Sequence, residues 1–342
     1  MTIDLDEIAS QAGLSKQTIS HILNTNRQSK YAPETVRRVV GLADRLGYRP
    51  NRAARALSTG KTNLVGLWMN EARTPYYAEI LKHLDEQVRA HGYEPVVSFL
   101  RGDIHSQLQS IGGGGWHVDG VMSVDPLVAA HITAEARAAL TVAAGRTPFV
   151  SLGNFCLPSA DHVWVDLGPA SVEGMLHLLS TGRSGIAYLS EKGSDVESDP
   201  RFAAYRTVMA ERGLPERLML SPDRARASLR RAVVESIRSE GPVNAIFCHD
   251  DDKALAASRA LRDLGLRVPA DVALLGCDGI EEIEYLDCPV STIVQPVQEM
   301  CRRAWAMLEA RLARPDAAHQ SAVLQPQLVI RASSSNINGD HI

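Results

Sequence analysis

Residues 4–23 read DLDEIASQAGLSKQTISHIL. Leu5, Ile8, Ala9, Ala12, Leu14, Ile19, Ile22 and Leu23 fall at helical spacings with one interruption at Gly13, which predicts a short helix, a tight turn and a second short helix. The turn calls for Gly13, because a backbone that reverses at positive φ penalises a β-carbon. Ala9 is small where the two helices cross, and Ser15 is placed to cap the second helix, leaving Lys16, Gln17 and Thr18 on its first turn. The spacing Ala9, Gly13, Ile19, Ile22 is that of a helix-turn-helix, whose second helix lies in the major groove of DNA.

On that geometry Lys16, Gln17, Ser20 and His21 face DNA, while Ile19 and Ile22 face the core. Gln17 suits a bidentate contact with adenine, and Lys16 suits guanine or a phosphate. The plainer alternative is a helical hairpin with no nucleic-acid role. Residues 33–46 supply a third helix: Pro33 fits its first position, Val36, Val39, Val40, Ala43 and Leu46 form one apolar stripe, and Gly47 ends it.

Charge divides the chain in the same place. Residues 1–61 hold ten Lys/Arg and five Asp/Glu, a balance of +5, which leaves -9 for residues 62–342 out of the total of -4. A basic head on an acidic body points to a polyanion partner for the head alone. With 342 residues and 45% hydrophobic content, more than one folding unit is expected. No run approaches a membrane span and the first residues lack a secretory pattern, so a cytoplasmic protein is expected. Five scattered cysteines, never spaced as CxxC, read as buried thiols.

From Tyr48 the chain continues YRPNRAARALSTGKTN. The run LGYRPNRAARAL over residues 46–57 resembles the LacI/GalR family of transcription regulators, in which LGY-x-PN-x-x-A-x-x-L follows the helix-turn-helix. Thr2-Ile3, Asn70 to Tyr77, Val118-Asp119-Gly120, Gly276-Cys277-Asp278, Ser291-Thr292-Ile293, Gln295-Pro296 and Leu328 to Arg331 extend the resemblance. Read by itself, the segment between Asn51 and Gly60 is about two helical turns, too short to persist alone when isolated helices below about 12–15 residues are marginal. It is expected to order on a partner.

The resemblance implies that this partner is the DNA minor groove, with hinge helices from two subunits packed together and Leu57 wedged into a base step. Arg52 and Arg55 then lie near phosphates, and Ala54 permits close approach. The remaining DNA contacts implied are Thr2, Ser15, Thr18, Asn24, Tyr48 and Asn51. His21 stands where many members carry Arg, the turn from Asn24 to Tyr31 looks longer than usual, and Ala32 replaces a common capping residue.

In the remainder, β-rich runs at 64–69, 95–99, 120–124, 149–152, 186–189, 245–248 and 272–276 alternate with helical patterns at 77–91, 170–179, 201–211 and 252–264. That alternation predicts parallel sheets flanked by helices, with ligands at the carboxyl ends of the strands. By resemblance this body is two-lobed and like a periplasmic binding protein, with crossovers near Val165, Val294 and Leu324. The expected division is a head over 1–49, a hinge over 50–61, a body over 62–332 and a tail over 333–342. Within the body, lobe 1 covers about 62–164 and 294–324, and lobe 2 about 165–293 and 325–332.

The resemblance places effector contacts at Tyr76, Tyr77, Asp166, Arg201, Asp250 and Asp278. Such a set suits a polyol: carboxylates accept hydroxyl hydrogens, Arg donates two, and an aromatic face covers apolar sugar carbons. The acidic run Asp250-Asp251-Asp252 lacks the spacing of a calcium loop, so no metal is expected; Asp251 is read as the cap of the next helix. Gly112 to Gly115 lacks the Lys-Ser/Thr of a phosphate loop. No cofactor is expected. The functional expectation is a homodimeric repressor on a pseudo-palindromic operator, controlled by a sugar, with a purine as the other effector class. A solute-binding protein and an enzyme are the competing classes, and no G-x-S-x-G, HExxH or G-x-G-x-x-G placed after a strand supports the latter.

Overall fold

The computed structural model describes residues 4–23, 25–48, 56, 59–69, 74–100, 118–125, 134–153, 156–157, 159–192 and 198–335. The chain divides into two units, Met1–Thr62 and Asn63–Ile342. In the first, α1 (Leu5–Ala12), α2 (Lys16–Leu23) and α3 (Pro33–Arg45) close around Ile8, Ala12, Ile19, Ile22, Val39 and Ala43. Asp4 caps α1 by accepting from the Asp6 and Glu7 amides, and Gly13 ends it at φ 64. Ser15 Oγ accepts from the Thr18 amide at 3.1 Å. The long turn between α2 and α3 winds as a 3-10 helix over Thr25–Lys30, and Ala32 gives α3 no side-chain cap.

The second unit carries two six-stranded sheets. The first is built from β1 (Leu64–Met69), β2 (Glu94–Phe99), β3 (Gly120–Val124), β4 (Phe149–Leu152), β5 (Asp161–Val165) and β11 (Ser321–Leu324), in the order β11-β5-β4-β3-β1-β2. The second contains β6 (Ile186–Glu191), β7 (Leu218–Ser221), β8 (Ala245–Cys248), β9 (Ala273–Asp278), β10 (Ser291–Val294) and β12 (Gln327–Val329), in the order β12-β10-β9-β8-β6-β7. Helices α4 (Pro75–Ala90), α5 (Ala134–Arg146), α6 (Leu167–Ser180), α7 (Pro200–Glu211), α8 (Arg226–Glu240), α9 (Asp251–Asp263) and α10 (Val297–Ala313) flank them. Strands β3, β6 and β8 are buried along their whole length, as expected of parallel strands covered on both faces.

The chain leaves the first sheet after Val165, returns after Val294 and leaves again after Leu324. On its return it forms α10, which packs on α4 and on β3, β4 and β5. Arg311 of α10 holds the buried Asp161 carboxylate with two hydrogen bonds of 3.0 and 2.9 Å. The structure differs from the periodicity reading in two respects. It adds strands β5, β7, β10, β11 and β12 and helices α5, α8 and α10, and β12 runs antiparallel to β10. Of the added strands β7, β11 and β12 are partly exposed edge strands, without the continuous buried apolar run of the equally short β4 and β8.

Candidate effector cleft and DNA-reading face

Each sheet reverses its strand order once, between β1 and β3 in the first and between β6 and β8 in the second. Such switch points gather ligands outside the carboxyl ends of the strands. Here the two sets of strand ends share one cavity of about 60 Å³. The first sheet contributes Asp125 after β3, Gly153 after β4, and Tyr76 and Tyr77 on α4. The second contributes His249 and Asp250 after β8, Asp278 at the end of β9, and Arg201 and Arg224. Gly153 has φ 95, and a β-carbon there would overlap the Asp125 carboxylate, so that glycine makes the room Asp125 occupies.

Arg201 is the hub of the second-sheet side. Pro200 at the first position of α7 and Asp199 as its cap fix where the side chain starts. The guanidinium donates to Asp199 through Nε (3.0 Å) and Nη2 (2.7 Å), to the His249 carbonyl at 2.8 Å and to His249 Nε2 at 2.8 Å. Four of its five N–H groups are thereby used. This corrects the expectation that Arg201 offers two donors to a ligand. Burial raises the Asp199 carboxyl, but Arg201 and the nearby His249 outweigh it and hold Asp199 well below the usual carboxylate range.

Because Arg201 only donates, His249 Nε2 accepts, and Nδ1–H is left to donate to Tyr188 Oη at 3.1 Å. Burial and the Arg201 charge lower the imidazole to about 4, so it is neutral. Lys253, also buried, reaches Asp250 at 2.5 Å and Glu191 at 2.8 Å, and Arg224 reaches Glu191 at 2.9 Å. The cations on this wall are therefore matched by carboxylates within it.

The sequence reading took Asp251 as the cap of α9. Asp250 is the cap, accepting from the Lys253 amide at 2.9 Å. Asp251 turns inward to accept from the Gly279 and Ile280 amides at 2.7 and 3.1 Å and from Thr292 Oγ1 at 2.7 Å. It reaches them because Gly276 has no β-carbon, which would overlap Asp251 Oδ1. The hold on Gly279 and Ile280 fixes the backbone after Asp278, which adopts φ 119, a strained value for a residue with a side chain. Burial and the Asp250 charge push the Asp278 carboxyl up to about 7.

Of the six residues expected at the effector site, Tyr76, Tyr77, Arg201, Asp250 and Asp278 line this cavity. Asp166 is not among its lining residues. It caps α6 by accepting from the Gly168 amide at 3.2 Å, while its neighbours Val165 and Leu167 reach the cavity. The sequence reading missed Asp125, Asp199, His249, Arg224, Lys253 and Gln295. Asp199-Pro200-Arg201 carries a readable signal, a capping acid before a helix-starting proline.

On the head, Gln17 and Ser20 are exposed on α2 while Ile19 and Ile22 are buried. Lys16 is exposed and paired with Asp6 at 2.6 Å. His21 is half-buried with Nδ1 3.0 Å from Tyr31 Oη, Ser15 is occupied as a cap, and Tyr48 packs against the head's core. Thr2, Asn24, Asn51, Arg52, Ala54, Arg55 and Leu57 lie outside the described residues, as do Asn70 and Gly112 to Gly115. Among the cysteines, Cys156 is exposed and Cys288 half-buried, against the expectation of burial throughout.

Comparison with known proteins adds to this geometry. Residues 4–51 match the family described as bacterial regulatory proteins, lacI family, and residues 175–334 match the periplasmic binding protein-like domain. The HTH-type transcriptional regulator DegA of Bacillus subtilis (strain 168) is 26% identical, the alignment covering 99% of this chain and 100% of that protein. The HTH-type transcriptional repressor PurR of Aliivibrio fischeri (strain ATCC 700601 / ES114) is 27% identical over 97% and 98%. The lac repressor dimer bound to operator and the anti-inducer ONPF shares the fold at TM-score 0.81 and 22% identity, covering 98% of this chain and 99% of that one. The transcriptional regulator CelR–cellobiose complex aligns at TM-score 0.68 and 27% identity, covering 97% and 99%.

Proposed function

We propose that this chain, which belongs to the lacI family of bacterial regulatory proteins, is a transcriptional repressor whose operator affinity is set by a small molecule bound between its two sheets. One observation carries the reading: a single chain joins a helix-turn-helix head to a body whose two sets of strand ends converge on one polar cavity. The head acts as half of a homodimer on a pseudo-palindromic operator, with Gln17 and Ser20 presented to base edges and Lys16 exchanging Asp6 for phosphate or guanine. The reading includes no catalytic step, and the site of action is the cytoplasm.

The effector is proposed to be a sugar, contacting Tyr76, Tyr77, Arg201, Asp250 and Asp278, with Asp166 positioning the first crossover. Two aromatic rings 5.3 Å apart and several carboxylates suit hydroxyl groups on an apolar ring. The cellobiose complex of CelR supports a sugar. The PurR relatives support a purine as the second reading. A thermal-shift screen of neutral sugars and nucleobases, followed by operator binding with each hit, tests both. A hit that raises the unfolding temperature and changes operator affinity is expected among the sugars. Stabilisation by nucleobases alone would replace the sugar with a purine, and no hit in either class would remove the effector assignment.

A further inference from the structure

The cavity of about 60 Å³ adjoins a groove of about 1070 Å³ on the outside of the same unit. The cavity is far smaller than the roughly 300–1,000 Å³ of pockets that enclose organic ligands. Thr74, Tyr76, Asp278 and Gln295 line both spaces, so these four residues form the partition between them. Any sugar or nucleobase entering from the groove meets this partition.

The partition is hydrogen-bonded in series. Tyr76 Oη donates to Gln295 Oε1 at 3.0 Å, and Gln295 Nε2 donates to Asp278 Oδ1 at 2.8 Å. In this arrangement Nε2 faces Asp278 and Oε1 faces the tyrosine. The three members belong to three different parts of the fold. Tyr76 begins α4 on the first sheet, Asp278 ends β9 in the second, and Gln295 is on the crossover between β10 and α10. The Gln295 backbone amide donates to the Asp278 carbonyl at 3.2 Å, and the Val297 amide donates to the Gln295 carbonyl at 2.9 Å, so the residue whose side chain completes the series also sits in the backbone that leads into α10.

From this arrangement we propose that Tyr76, Gln295 and Asp278 form a latch that holds the two lobes together, that an effector must open it to enter, and that Gln295 is the residue passing the event to the crossover. A ligand hydroxyl bound to Asp278 takes the acceptor that Gln295 Nε2 uses, and the amide then loses the partner that orients it toward Tyr76. Because the Gln295 backbone stays bonded to the Asp278 carbonyl, the link that crosses between the lobes is the one to Tyr76, and the Asp278 carboxyl group acts on it by orienting the Gln295 side chain. The inference rests on the cleft being the effector site, as proposed above, and assigns Gln295 a positioning role.

Links in series have a distinctive signature: breaking one releases the other, so a second break adds nothing. Amide hydrogen exchange on the full-length protein, without added small molecule, tests this in Tyr76→Phe, Gln295→Met and the double variant. Phe keeps the ring and removes the donor; Met fills the space and removes both links. Each single variant is expected to raise exchange in peptides spanning 291–297 by about fivefold, as the loss of one net hydrogen bond gives, and the double variant by no more. Strands β3 and β4 serve as internal controls and should not change. If Gln295→Met does not fold, Gln295→Leu takes its place. Unchanged exchange in the single variants, a larger effect of Gln295→Met than of Tyr76→Phe, or effects that multiply in the double, would overturn the latch. A screen without effector hits, beside the expected exchange pattern, would instead overturn the effector reading and leave the latch standing.

Discussion

The imidazole of His249 has one neighbour that only donates and another that can accept, and this pair permits one neutral tautomer. Its value of about 4, against an ordinary 6.5, means that the unfolded chain binds more protons between those limits. Stability owed to this group is therefore complete above pH 6.5 and is lost as pH falls through about 4. Asp278, raised to about 7, acts in the opposite sense, losing stability as pH rises from the carboxylate range to 7. The difference between wild type and His249→Gln removes the Asp278 contribution, because Asp278 titrates in both, and Gln keeps an acceptor for Arg201. Denaturant melts are expected to show wild type gaining about 3 kcal/mol on the variant between pH 4 and pH 6.5. A pH-independent difference would show that folding does not lower the His249 imidazole. Tyr76, Arg201 and Asp278 could be named from sequence because the family resemblance reaches them. His249 and Gln295 could not, since their partners are 48 and 17 residues away and meet only when the strand ends align; Asp199 was missed although a capping acid before Pro200 is a local signal.

At the scale of elements, the helices of the head were legible because apolar spacing, the Gly13 stop and the Pro33 start all agree. The same was true of the long buried strands. Strand β12 was not, because three residues half exposed at a sheet edge carry no periodic signal. The assignment of Asp251 as a cap failed because two adjacent acids compete for one amide, and the choice falls to Gly276, which opens space for Asp251 only. The hinge segment carrying Leu57 is argued from sequence alone. A segment of about two turns is expected to lack the length to persist in water and to gain order when Leu57 enters an opened base step. Leu57→Ala is expected to weaken binding to the selected operator by about tenfold or more, and to leave binding to random duplex within about twofold. Equal losses on both DNAs in a filter-binding or anisotropy assay would remove the hinge from the mechanism.

Across the whole molecule, a head of +5 precedes a body of -9. The charge split keeps phosphate attraction on the head and gives the body's acidic surface no reason to follow it onto DNA. Control then depends on coupling: a ligand that binds the two lobe arrangements unequally shifts their populations, and with them the operator affinity. Overall architecture was readable from the sequence because two independent signals, the basic helical head and the alternating body, meet at Tyr48 to Asn63. What passes between the lobes was not readable, because it depends on hydrogen bonds a few ångströms long between residues more than two hundred positions apart, such as Tyr76 and Gln295. The most direct measurement is selection of bound duplexes from a random pool by the full-length protein, followed by titration of the winner at increasing salt. The account predicts two inverted half-sites about one helical turn apart and a steep fall in affinity with salt. A pool that stays random after selection, with no duplex bound at low salt, would contradict it.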